Sequence, residues 1–218
     1  MNKLKLAALI TAIMALIAMP LSAEIRLGVS VAHTTIDTTG EETLKTTSRK
    51  NGAGVEETAL IPSIFAEIAG EGGFGIGVDH IPGSADLGSK SRADDDIETA
   101  GDNKAAAEID GLTTVYAIKT FESGLFVKAG MTSTTVNTTE VLATGSKYGN
   151  VDIDGTVLSI GVDRTTDNGM FFRVSGEYTD YDDISLTSQT ADAVTGTKNK
   201  IDATLDTAQI KLAIGKAF

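Results

Sequence analysis

After Ala23 the chain has no long unbroken apolar run. Apolar side chains instead recur at every second position for about nine to thirteen residues at a time, between segments rich in Thr, Asp, Gly and Ser. A period of two places alternate side chains on opposite faces of an extended strand, and helical periodicity is absent. The apolar phases are Ile25, Leu27, Val29, Val31; Leu60, Pro62, Ile64, Ala66, Ile68; Phe74, Ile76, Val78; a weaker Leu112, Tyr116, Ile118; Leu125, Val127, Ala129, Met131; Leu158, Ile160, Val162; Met170, Phe172, Val174, Tyr178; and Ala208, Ile210, Leu212, Ile214, with Phe218 last. Eight strands result.

Ahead of them, Met1 to Lys5 carries two lysines, Leu6 to Met19 is almost wholly apolar, and Pro20-Leu21-Ser22-Ala23 supplies a turn and a small-x-small end. This is the pattern of a cleaved signal peptide over 1–23, and the apolar run is shorter than the roughly 20 residues a spanning helix needs. The expected mature domain is 24–218. Any later membrane span must be made of strands.

The connections alternate in length. Long ones run roughly from Thr34 to Gly54, Gly83 to Ala106, Asn137 to Asp154 and Asp182 to Lys200; short ones lie near Gly70 to Gly73, Thr120 to Gly124 and Thr165 to Gly169. A meander with two unlike ends has this pattern, and both chain termini then fall on the short-turn side. Two segments repeat the unit of turn and rising strand, Ser123-Gly124-Leu125-Phe126-Val127-Lys128 and Asn168-Gly169-Met170-Phe171-Phe172-Arg173.

Alternation alone does not say which face is dry. The opposite faces carry Arg26, Gly28, Ser30; Ser63, Glu67; Gly75, Gly77, Asp79; Lys128, Gly130, Thr132; Arg173, Ser175, Glu177; and Thr207, Gln209, Lys211. Small residues mixed with both signs of charge suit the inside of a narrow cylinder, which side chains just fill. Closure also satisfies every backbone group without water, as a bilayer demands. The expected fold is all-β: a closed eight-stranded antiparallel up-and-down transmembrane β-barrel with long extracellular loops and short periplasmic turns. Pro62 lacks a ladder donor, so a bulge is expected there. Interfacial aromatics are sparse, with Phe74, Phe172 and Phe218 expected near one rim and Tyr178 near the other.

The ending Ala208-Gln209-Ile210-Lys211-Leu212-Ala213-Ile214-Gly215-Lys216-Ala217-Phe218 is similar to the alternating, aromatic-terminated last strand of small outer-membrane β-barrels, the group of OmpX, Opa and the OmpA membrane domain. That resemblance implies a bacterial outer-membrane location and contact with its lipid and lipopolysaccharide. It also implies an assembly signal, Ile210, Leu212, Ile214 and Phe218, read by the barrel-assembly machinery. Lys216 departs from the usual apolar residue. Segments Val78 to Gly88 and Thr179 to Leu186 also resemble porin-like outer-membrane proteins of marine alphaproteobacteria.

The candidate site is the lumen charge network Arg26, Glu67, Asp79, Lys128, Arg173, Glu177 and Lys211. Unpaired charges in so narrow a cylinder are costly, so cross-lumen ion pairs that plug it are expected; the alternative is a narrow path for water, ions or small polar solutes. Asp94, Asp95, Asp96, Glu98 and Asp102, and Asp180, Asp182 and Asp183, read as solvated loop charge without the spacing of a calcium loop. Lys and Arg total 18 against 30 Asp and Glu, for a net charge of −12, which disfavours nucleic acid. With two histidines and no cysteine, no metal centre, cofactor or catalytic residue is assigned. His33 and His80 lie at strand ends without the spacing of a Ser-His-acid triad. Gly70-Glu71-Gly72-Gly73-Phe74-Gly75 spells G-x-G-x-x-G but precedes a strand, and so reads as a tight turn. The expectation is a non-enzymatic barrel that displays acidic loops, for envelope integrity or for contact with a surface ligand.

Overall fold

The computed structural model describes residues 23–44, 48, 50–93, 101–143, 145–191 and 196–218. Apart from Ala23, the expected signal peptide lies outside them. Ten strands follow in order: β1 (Glu24–Thr43), β2 (Lys50–Ala69), β3 (Phe74–Ala93), β4 (Asp102–Thr120), β5 (Leu125–Thr138), β6 (Val141–Leu142), β7 (Val151–Thr165), β8 (Met170–Tyr181), β9 (Ile184–Thr187) and β10 (Lys200–Ala217). Eight of them pair in the order β1-β2-β3-β4-β5-β7-β8-β10, and β10 pairs back onto β1, closing an antiparallel barrel; β6 adds to β4 and β9 to β10.

The greasy phase faces out. Ile64, Leu158 and Leu212 are 54%, 58% and 52% exposed, whereas Glu67, Asp79, Lys128 and Arg173 are buried. At the short-turn rim Lys119 lies 4.1 Å from the Phe74 ring and Lys216 5.7 Å from that of Phe218, so cation–π contacts hold both ammonium groups at the level of the aromatics. Lys216 therefore fits the last strand by lying over its terminal aromatic.

Five inward aromatics each pair across a strand with an inward glycine: Phe65 with Gly28, Tyr116 with Gly77, Phe126 with Gly161, Phe171 with Gly215 and Tyr181 with Gly155. A side chain at Gly161 would meet Phe126 Cε1 and Ser175 Cβ at 2.7 Å, and the Val174 carbonyl as well. The inward glycines are thus seats for rings.

Three sequence expectations are corrected. First, most residues assigned to the first two long loops are strand: β1 runs to Thr43, β2 starts at Lys50, β3 ends at Ala93 and β4 begins at Asp102. A tilted span needs only about 9–11 residues, so the 20 residues of β1 carry the wall well above the bilayer. There the pattern inverts, with Ile36, Val136, Ile153 and Leu205 pointing inward and buried while Asp37 and Thr39 face out. Water has replaced lipid outside, so the apolar face turns in. Second, Leu112, Tyr116 and Ile118 point into the barrel, where Tyr116 covers Gly77 and Ile118 lies beside Gly75. Third, Pro62 pairs with Val31 in an unshifted β1–β2 register; the bulges fall in β3–β4, between Ile81 and Ser84 and between Asp86 and Ser89, and in β4–β5 between Asp110 and Thr113. The β2–β3 ladder instead ends just short of Pro62, at Ile64↔His80.

Just above the apolar band, Glu56, Asp37, Asp206 and Asp180 stand directly opposite one another on β2, β1, β10 and β8. Like charges at facing positions repel. Asp37→Asn is therefore expected to raise the urea midpoint of the refolded barrel, by an amount corresponding to about 0.5 kcal/mol; an unchanged or lowered midpoint would show that the row is relaxed. Higher still, Glu41 pairs with Lys50 at 2.6 Å and raises its ammonium pKa, while Lys200 and Ser185 hold the Asp202 carboxyl below the ordinary aspartate range.

Candidate functional site: the barrel lumen

The lumen is layered. Nearest the short turns, the Arg173 guanidinium forks onto Glu67, with Nη1 to Oε1 at 2.6 Å and Nη2 to Oε2 at 3.0 Å, and its Nη2 also donates to Asp163 Oδ2 at 2.8 Å. Arg26 reaches the same Asp163 oxygen at 3.1 Å and Glu24 at 2.5 Å. The Tyr116 hydroxyl donates to Glu67 at 2.8 Å. Arg173 also stacks over Phe65, Phe126 and Phe171, 4.9 to 5.7 Å from their centroids. Charge, fork geometry and rings together fill the cross-section.

Above this floor, the Lys211 ammonium donates to Asp79 at 3.1 Å and to Glu177 at 3.3 Å, and Lys128 pairs with Glu177 from the other side. Gln209 donates to Glu177 and accepts from the Thr34 hydroxyl at 3.0 Å. All seven residues of the sequence-derived network lie in these two layers. The sequence reading omitted Asp163, although it shares the inward parity of Ser159 and Gly161 on β7; with it, four cations face four anions across the lumen.

The third layer is apolar. Ile36, Leu87, Ile109, Leu112, Val136, Ile153, Tyr181, Ile184 and Leu205 form one buried cluster. Over it, residues of the two last connections bond to each other, Gln189 N donating to the Lys147 carbonyl at 2.7 Å and Thr190 Oγ1 to that of Gly145 at 2.7 Å, and Tyr148 Oη ties the first of them to Glu42 at the top of β1 at 3.0 Å.

Between the charged and apolar layers lies a cavity of about 30 Å³. Its lining mixes polar and charged residues, Thr34, Asp79, Thr114, Glu177, Gln209 and Lys211 among them, with apolar ones that include Ile36, Ile61, Ile81, Ile109 and Leu112. Beside it the ladder between two neighbouring strands stops. Past Ile64↔His80 no β2–β3 pair forms among the described residues, although 50–63 stay paired with β1 and 81–93 remain strand on the β4 side. The two strands come close again where Gly88 faces Val55 and Glu57, a Cβ at Gly88 lying 2.6 Å from Val55 Cγ1. The interval between is bordered by Ile61, Pro62, Ile81 and Gly83, and the exposed Leu60 and Pro62 set its lower margin against lipid.

Asp94, Asp95, Asp96 and Glu98 lie outside the described residues. Asp102 opens β4, Asp180 is in β8, and Asp182 and Asp183 connect β8 to β9. No group of three metal-ligating side chains forms among the described residues. His33 and His80 sit on separate strands, and His80 Nδ1 is 3.0 Å from the Thr113 hydroxyl. Ile210, Leu212, Ile214 and Phe218 are exposed along the outer face of β10 and its end.

No protein-family model and no curated protein matches this sequence. Among solved structures, the outer membrane protein OprG from Pseudomonas aeruginosa aligns with a TM-score of 0.64 at 14% identity, covering 90% of this chain and 96% of that one. Looser likenesses are the attachment invasion locus protein Ail of Yersinia pestis (TM-score 0.41, 7% identity, 88% and 99% covered) and the outer membrane protease OmpT from Escherichia coli (TM-score 0.45, 10% identity, 91% and 99% covered). The fold is that of the bacterial outer-membrane β-barrels.

Proposed function

We propose that the protein is a non-enzymatic outer-membrane barrel, closed to ions along its axis, whose upper chamber takes up small molecules sideways from the outer leaflet. The observation that carries this reading is the unpaired stretch of β2 and β3 beside a part-apolar cavity. A bilayer tolerates unsatisfied backbone only where protein or a cavity covers it, so a wall left open at the lipid margin is a costly feature that serves passage. The Pro62 ring supplies no donor for a β3 partner and so keeps the seam from zipping. The paired charges below oppose the alternative of an ion path, because an ion crossing that floor must separate salt bridges in a low dielectric.

Paramagnetic broadening in nanodiscs tests this. With isoleucine δ-methyls labelled, a nitroxide on lipid acyl chains is expected to broaden Ile61 and Ile81 strongly, while a water-soluble gadolinium chelate leaves them sharp. The reverse ranking would contradict sideways access. In planar bilayers the protein is expected to be silent, and discrete conductance steps would restore the axial reading.

Loop display is a second reading, favoured by the strands that lift the connections above the bilayer. Cells carrying the full barrel would then adhere more than cells in which 182–199 is cut to a short turn, and equal adhesion would remove this role. For assembly, removing Phe218 is expected to lower insertion in cells severalfold while leaving refolding in detergent intact. Equal loss in both settings would make Phe218 a structural residue only.

A further inference from the structure

We propose that the outer wall at the short-turn rim holds an anionic glycerophospholipid of the periplasmic leaflet, with its phosphate on Lys119 and Arg164. This surface is separate from the chamber, and the proposal does not depend on sideways access. At the short-turn ends of the strands Lys119, Arg164 and Lys216 pair across the ladders with Phe74, Phe172 and Leu27, all three exposed on the lipid face. Among the described residues, every charged outward strand position at this rim is thus a cation. The row at the opposite margin, Glu56, Asp37, Asp206 and Asp180, is all acid. Anions are favoured at one margin only.

Two of the three cations meet at one turn, 121–124, between β4 and β5. Lys119 donates to the Gly72 carbonyl, and its ammonium lies 4.1 Å from the centroid of Phe74 and 5.7 Å from that of Phe121. Arg164 reaches the same turn from β7, its Nη1 donating to the Ser123 carbonyl at 2.6 Å and to the Asp163 carbonyl at 3.1 Å. A side chain at Gly124 would collide with that guanidinium. Both cations are therefore held in place, yet by rings and carbonyls. Among the described residues neither forms an ion pair, because the Asp163 carboxylate is turned to Arg26 and Arg173, and Glu71 and Glu122 in the two adjoining turns pair with neither. An ammonium has three donors and a guanidinium five, and these bonds use one and two of them. The rest are open to a phosphate.

The apolar surroundings make that phosphate a lipid's. Phe74, Phe121, Leu125 and Val127 are exposed around the two cations. One row further into the membrane, Ala117 and Ala129 face each other across β4 and β5, between the larger Ile76 and Leu158. The wall dips there, with Phe74, Ala117, Lys119 and Ala129 among the residues lining the hollow, so an acyl chain below a headgroup on Lys119 has a seat. Both chain ends lie at this rim, Phe218 N donating to the Ile25 carbonyl at 2.9 Å, and short turns mark the periplasmic end of such barrels, where the leaflet is phospholipid. A zwitterionic headgroup brings its own ammonium and cancels much of the attraction. Net negative charge is what the two cations select.

The test uses the full mature barrel in phosphatidylcholine nanodiscs, with Leu125→Trp beside the turn and Ile64→Trp on β2 as its control. A minor share of the lipid is replaced by phosphatidylglycerol or by phosphatidylcholine, each brominated near the head of its acyl chains. Quenching at Leu125→Trp is expected to favour the phosphatidylglycerol about fivefold, and quenching at Ile64→Trp not to distinguish the two. High salt is expected to weaken the preference, Lys119→Gln with Arg164→Gln to abolish it, and Lys119→Arg to keep it. Equal quenching at Leu125→Trp, the same preference at Ile64→Trp, or a preference that survives both glutamines overturns the proposal. The first two comparisons need no charge variant, so they decide it even where the glutamine variants do not fold. Displacement of the brominated phosphatidylglycerol by rough lipopolysaccharide would give the rim to that lipid instead and overturn the choice made here. None of these outcomes bears on sideways access.

Discussion

Glu67→Leu is expected to destabilise the barrel by about 3–5 kcal/mol, the largest effect of any single charge removal in the lumen, because it removes both acceptors of the Arg173 fork and leaves a buried guanidinium sharing Asp163 with Arg26. The Tyr116 hydroxyl loses its acceptor in the same step. Urea titration of the refolded protein, and the temperature at which its compact band is lost in electrophoresis, would report the change. The double variant Glu67→Leu with Arg173→Met is expected to recover much of the loss, since it removes both partners and leaves apolar volume among Phe65, Phe126 and Phe171. A single variant as stable as the native barrel, or a double variant weaker than the single one, would mean that the floor is not held by this pair.

Gly161→Val should be nearly as damaging, for a steric reason. Its new atoms would collide with the Phe126 ring, the Ser175 side chain and the Val174 carbonyl, and the last is backbone in the neighbouring strand. Overpacking of this kind costs about 1–3 kcal/mol where neighbours yield, and more where they do not. Phe126→Ala in the same chain is expected to relieve only part of the loss, because the clash with the carbonyl remains. Full rescue by Phe126→Ala would show that the ring alone defines the seat. At Gly176, which faces outward with open space around it, valine is expected to be tolerated, so glycine content as such is not what matters.

The membrane part of this fold was legible in the sequence because lipid imposes one rule on every strand there. Ile64, Leu158 and Leu212 follow it, and the two repeated segments place Phe126 with Phe171, and Lys128 with Arg173, at matching inward positions. What was misread has two physical sources. In β4 both faces are comparably apolar, with Val115 and Ala117 against Tyr116 and Ile118, so polarity could not assign the phase; the glycines that Tyr116 and Ile118 cover lie on neighbouring strands. Above the membrane the alternation changes sign within a continuous strand, as from Val29 and Val31 outward to Ile36 inward on β1, and an inverting pattern reads as a pattern that has stopped. The seam between β2 and β3 had one sequence signal, Pro62, which pointed to a bulge when the consequence was a ladder that ends.

The chain contains no tryptophan, so a single introduced one reports without background. With Leu158→Trp and, separately, Leu212→Trp in bilayers whose acyl chains carry bromine, the account predicts strong quenching at both positions. Bright emission from both, unchanged between brominated and ordinary lipid, would mean that these side chains are shielded from the membrane, and the barrel described here would be inside out.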